Sequence, residues 1–164
     1  MPGQQKSFQY QVQIYKEKMM KNKIFMLITL LSVSFYASAI ELTIDSALIK
    51  ATKPGQTVTA GFMKIKSPTT LNIKNISTPV AEKIEVHTMK MEKGPYGDSI
   101  MKMRKIDDPI IEANKEFILM PGADHLMIFE VKKELKIGDT VVLKFTLIDT
   151  NKKEYTKDIP FNVY

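Results

Sequence analysis

From residue 40 to the C-terminus, apolar and β-branched residues alternate with polar ones at a period of two, the mark of strands with one buried face. Nine runs carry the pattern: IELTID, TVTAGFMKIK, TLNIKNI, EKIEVHTMKM, IMKMRKI, EFILM, HLMIFEV, TVVLKFTLID and EYTKDIPFNV. Turn-forming clusters stand between them, at KPGQ (53–56), SPTT (67–70), KGPYGDS (93–99), DDP (107–109), PGAD (121–124), KIGD (136–139) and TNKK (150–153). No segment of this region keeps an apolar stripe at helical spacing. The pattern predicts a single all-β domain over residues 40–164, with seven to nine short strands arranged as a β-sandwich or a partly closed barrel.

Upstream the pattern changes. From Met19 the chain reads MMKNKIFMLITLLSVSFYASA: Lys21 and Lys23, an apolar run from Ile24 to Tyr36, then small residues at Ala37 and Ala39. That order of basic, apolar and small segments reads as a secretory signal peptide over 19–39, with Ile40 as the mature start. A membrane-spanning helix needs about 20 apolar residues in succession, and this run is shorter and ends in a cleavage pattern. Residues 1–18 are polar without a core pattern and read as an extension ahead of a start at Met19 or Met20. The expected location is periplasmic or otherwise exported, with no stable membrane insertion after cleavage.

Removing the leader also changes the charge. The whole chain carries 24 basic and 18 acidic residues, a net +6. Five of the bases (Lys6, Lys16, Lys18, Lys21, Lys23) and one acid (Glu17) precede residue 40, which leaves 19 against 17, or +2. A domain so near neutrality, with its lysines scattered among acids, gives no electrostatic case for nucleic acid. There is no cysteine. Zinc fingers, cysteine hydrolases and blue-copper centres, which need thiolate, are excluded. No Ser/His/Asp set, phosphate-binding glycine loop or carboxylate pair stands out, so the sequence does not read as an enzyme.

What the domain does hold is two histidines, His87 and His125, and seven methionines, four of them within HTMKMEKGPYGDSIMKM. Since residues i and i+2 of a strand share a face, His87, Met89 and Met91 point one way, while Ile84, Val86 and Thr88 point the other. Met101 and Met103 share a face of the next run, and His125 and Met127 share a face of a third. If the KGPYGDS segment is a hairpin loop, the two flanking strands run antiparallel and their His and Met faces adjoin. Thioether sulfur is soft and neutral: it suits Cu(I) and is a poor ligand for magnesium, calcium or zinc. Each residue taken singly has a plainer reading, because Met is a common core filler.

The segment from His87 to Met127 resembles the copper(I)-binding motif of the periplasmic copper chaperone family of PCuAC type, linked to copper delivery to cytochrome c oxidase. In that family a His is followed after ten residues by a Met, and then after 21 by His-x-Met. Here residues 104–124 separate Met103 from His125, HLM supplies the last pair, and MKMRKI, LMPGADHLM and LKIGDTVVLKFTL match the framing. One departure stands out: 15 residues, 88–102, separate His87 from Met103, five more than the family has, and an insertion at the KGPYGDS hairpin tip is expected. The resemblance implies a cupredoxin-like β-sandwich, or Greek-key barrel, with Cu(I) held near one surface by His87, Met103, His125 and Met127. The longer loop makes Met89, Met91 and Met101 substitute ligands. It further implies a monomeric chaperone whose partner is a copper-accepting protein, such as a cytochrome c oxidase subunit or another copper chaperone. Two other functions compete. A Met-rich β-sandwich could serve as an interaction module without copper transfer. A copper redox protein is disfavoured by the missing thiolate and by Ile40, rather than His, at the predicted mature N-terminus.

Overall fold

A computed structural model of the chain describes residues 16–19 and 40–164. Lys16–Met19 form one helical turn; the signal-peptide and extension assignments otherwise fall outside the described residues. Among the described residues no helix is long and apolar enough to cross a membrane.

The described residues 40–164 belong to one compact unit. Its ten strands are β1 (Thr43–Ile49), β2 (Val58–Lys66), β3 (Leu71–Ser77), β4 (Ala81–Lys93), β5 (Ser99–Lys105), β6 (Ile110–Ile111), β7 (Glu116–Leu119), β8 (His125–Val131), β9 (Thr140–Asp149) and β10 (Glu154–Val163). The nine alternating runs all appear as strands. The tenth, β6, is two residues beside Pro109 that pair with Leu71 and Asn72, too short to show a period. The first run was placed a few residues early: β1 begins at Thr43 and carries a bulge between Asp45 and Leu48, with Ser46 at φ 55°. A bulge adds a residue and so breaks the alternation from which such a strand is read.

Hydrogen bonding links the strands in the order β5-β4-β8-β2-β1-β10-β9-β3-β6, with β7 on the second half of β2. All pairings between named strands are antiparallel except β1 with β10. The path is open, ending at β5 and β6, so the fold is a sandwich rather than a closed barrel. Its two halves face each other across one core, to which Met63, Ile84, Val86, Leu126 and Ile128 contribute from one side and Leu71, Leu143, Phe145, Leu147 and Phe161 from the other. Phe145 and Phe161 stack with ring centres 6.4 Å apart.

Period two decides what each side of β4 and β8 meets. Ile84 and Val86 on β4, and Leu126 and Ile128 on β8, are buried in the core. Burying each stabilises the fold by about 1.5–3 kcal/mol. The intervening residues, Glu85 and His87 on β4 and His125, Met127 and Phe129 on β8, are thereby forced to the outer face. Beside β8 in the sheet, Gly61 of β2 pairs with Leu126, and a side chain on Gly61 would stand 3.3 Å from the Leu126 Cβ.

Candidate metal centre

The register of β4 against β8 sets His87 directly opposite His125 and Glu85 opposite Met127. The imidazole ring centres are 6.3 Å apart. His125 is buried, at 5 % exposure, and the His87 side chain is only 14 % exposed. Phe129, 5.9 Å from the His87 ring, and Lys83 above the Phe129 ring close one end of the pair.

Each ring has one nitrogen tied and the other left with a lone pair. His87 Nε2 donates to Glu85 Oε2 at 2.9 Å, and His125 Nδ1 donates to the Ala123 carbonyl at 2.8 Å. In neutral imidazoles those bonds fix the tautomers, leaving lone pairs on His87 Nδ1 and His125 Nε2. His87 Nδ1 is buried and has no hydrogen-bond partner, which is costly unless something binds it. Histidines whose second nitrogen is held by a carboxylate or a carbonyl are the usual arrangement of metal ligands. The hydrogen bond from His87 is the main cause that holds the Glu85 carboxyl below its ordinary range; burial opposes it, and Lys83 adds a lesser lowering.

The β4–β5 hairpin is antiparallel, as expected, but the residues between His87 and Met103 are accommodated differently. Pairing continues in register from His87↔Lys105 through Met89↔Met103 and Met91↔Met101 to Lys93↔Ser99, with only Gly94–Asp98 left as a turn. The added length forms paired strand and not a larger loop. Because β8 begins opposite His87, residues 88–93 and 99–104 stand beyond it as a two-stranded arm. Parity is kept, so all four methionines of the arm share the face of His87. Met103 is opposite Met89 and only diagonal to His87, about 7–8 Å away by the usual spacing of such pairs. Met127 lies at the other side of the histidine pair, diagonal to His87.

The structure thus gathers His87, His125 and Met127 on one half-buried face and extends it outward through the Met89–Met103 and Met91–Met101 pairs. Met91, Met101 and Met103 are exposed, at 63 %, 55 % and 54 %. Among the described residues no group of three or more His, Cys, Asp or Glu could hold a metal ion, so a metal at this face needs the thioethers. Glu85, Phe129 and Lys83 escaped the sequence reading. Glu85 could have been found, since it stands at i−2 from His87 and shares its face.

Comparison with known proteins bears on the fold and the family. The fold is that of PCuAC domains: the chain superposes on the copper-bound PCuAC domain from PmoF2 with a TM-score of 0.54 at 14% identity, covering 77% of this chain and 97% of that one. It superposes on the Cu(I) form of DR1885 from Deinococcus radiodurans with a TM-score of 0.54 at 25% identity, covering 80% and 84%. The profile of the LpqE-like lipoproteins matches residues 42–159, and the chain belongs to the LpqE-like family. It is 30% identical over 93 residues to the protein RP573 of Rickettsia prowazekii. That alignment takes in 54% of the chain, which spans about half the length, 49%, of this curated relative. The resemblance to PCuAC-type proteins read from the His and Met spacing is borne out.

Proposed function

We propose that the protein is an exported, non-enzymatic Cu(I) chaperone that holds one ion at the His87–His125 pair and passes it to a copper-accepting protein. His87 Nδ1, His125 Nε2 and the Met127 thioether are ligands, and Met103 completes the set, with its partner Met89 able to replace it. The carrying observation is the buried, unpartnered Nδ1 of His87 on a ring 6.3 Å from a second imidazole, whose Nδ1 is tied to the Ala123 carbonyl so that its Nε2 is left free. Metal–imidazole distances are about 2 Å, so an ion bridging two rings sets their centres roughly 5–6 Å apart, near the 6.3 Å found here. Thioethers make the site selective for soft, singly charged copper. Neutral ligands leave that ion its charge, which favours release by stepwise ligand exchange.

The copper-bound PmoF2 domain and the Cu(I) form of DR1885 support copper as the cargo. The lipoprotein description of the family supports export, in keeping with a signal peptide at 19–39 ahead of a copper-chaperone domain at 40–164. A cytochrome c oxidase subunit is the proposed recipient, a role taken from the family resemblance, and the chaperone works as a monomer. Titration of the His125→Ala, Met127→Ala double variant with Cu(I) against a chromophoric competitor should show affinity weakened by orders of magnitude. Unchanged affinity would sink the proposal.

A further inference from the structure

The methionines at the outer end of the arm are not accounted for by one ion at the histidine pair. Met91 and Met101 are two residues further out than Met89 and Met103, a step of about 6.6 Å along a strand. Both are more than half exposed, so they contribute little to any core. Nor are they what a bare two-stranded ribbon needs, since β-branched and aromatic cross-strand pairs stabilise such ribbons better. The register of the arm is held from its other face. There Arg104 Nε donates to Glu92 at 2.6 Å and Lys102 lies 3.3 Å from the same carboxylate. That leaves the Met face free of any structural duty visible in its contacts.

We infer that the arm carries a second, thioether-only site for a soft monovalent cation, Cu(I) in its working form, held by the cross-strand pair Met91 and Met101 with a third sulfur from Met89 or Met103. Directly paired residues have Cβ atoms about 4.5–5.5 Å apart, and the unbranched, flexible Met side chain lets two sulfurs converge on one ion from there. The four paired positions of this face, 89, 91, 101 and 103, offer thioether as their only donor, which admits Cu(I) or Ag(I) and rejects magnesium, calcium and zinc. Exposure makes the site easy to fill and easy to empty. The Met89–Met103 pair lies between it and the histidines, so an ion can move inward by exchanging one sulfur at a time, without oxidation or reduction. The second site stands on the arm's own geometry and does not require the histidine site to exist.

Anaerobic titration with Cu(I) under a reductant, against a chromophoric chelator, counts the ions bound. Wild type should take two equivalents and the Met91→Leu, Met101→Leu variant one. A His87→Ala, His125→Ala variant should keep one equivalent, with sulfur as its only near neighbour in X-ray absorption. Methyl NMR with Ag(I) gives an independent reading, in which the Met91 and Met101 methyl signals shift on binding. The titration would overturn the second site by either of two results: a single equivalent in wild type, or two equivalents surviving in the Met91→Leu, Met101→Leu variant. The histidine site fails separately, if the His87→Ala, His125→Ala variant still takes up every equivalent that wild type does. Both methionines are exposed, so leucine there leaves the fold intact, as circular dichroism would register. A Met face that serves only to pack another protein would leave the silver-treated methyl signals unmoved, and that too overturns the inference.

Discussion

His87 and Met91 sit on one face of β4, four residues apart, the first paired with His125 of β8 and the second with Met101 of β5, yet the surroundings of the two pairs are opposite. Beneath the histidines lie Val86, Leu126 and Ile128, all buried, with Gly61 of the neighbouring strand close beside Leu126. Beneath the methionines there is only the ion-paired far side of a ribbon two strands thick, open to water. The first environment fixes rings, tautomers and the separation of the two lone pairs. The second fixes backbone register and leaves side chains free. On the proposed reading, the site that selects its ion is served by the packed floor, and the one that captures or releases it by the exposed arm.

If the floor is what positions the histidines, damage beneath them should be felt most. Leu126→Ala opens a cavity in the core beneath β8, where Leu126 is fully buried, and should cost about 2–5 kcal/mol, read as a fall in the denaturant midpoint. A smaller loss, about 1–3 kcal/mol, is expected of Gly61→Ala, whose new methyl meets a Leu126 Cβ that the backbone of β8 cannot move away. By contrast Met91→Leu and Met101→Leu should leave stability within about 0.5 kcal/mol of wild type, as surface changes do. Losses of equal size at both places would abolish the contrast between floor and arm.

How much of this could be read from the chain depended on whether it was local. Side-chain parity is a property of consecutive residues, so the shared face of His87, Met89 and Met91, and that of His125 and Met127, were legible. So were the β4–β5 turn and nine of the strands, because Gly, Pro and Asp cluster where the alternation stops. Register is a property of pairs of strands, and it was not legible. The sequence pattern allowed Met103 to face His87, whereas pairing through Lys93 and Ser99 puts Met103 opposite Met89. The parallel contact of β1 with β10 and the bulge at Ser46 are likewise set by tertiary packing. The missed partner Glu85 falls between the two cases: its face was readable, but its bond to His87 depends on the ring leaning toward it.

That bond separates orientation from ligation. Glu85→Ala frees the His87 ring to rotate and to change tautomer, and loss of such an outer partner typically weakens metal affinity about 10–100-fold. Glu85→Gln keeps an oxygen that can accept from Nε2 and should recover part of the loss. The measurement is Cu(I) affinity by competition, with the Met91–Met101 methyl shifts on silver binding followed in parallel. Those shifts should be the same in both variants, because Glu85 belongs to the floor and not to the arm. A variant that lost both kinds of binding together would mean that the two regions act as one site.

The smallest effect expected is at the arm's own fastening. The hydrogen bond from Arg104, followed by that from Lys102, holds the Glu92 carboxyl below its ordinary range. A depressed value in the folded state means the ion pairs stabilise the arm fully above the ordinary carboxylate value and let go as the pH falls through the lowered one. The group is open to solvent, so screening keeps the effect slight and salt should weaken it further. Hydrogen exchange, expressed as protection factors for residues 88–93 and 99–104, should show the arm loosening at acid pH while β2 and β8 stay protected. In Glu92→Gln the loosening should be present at neutral pH and no longer change on acidification. If the arm kept full protection in that variant, its register would have to be held by the methionine face after all, and the methionines would then have the structural duty that their exposure argues against.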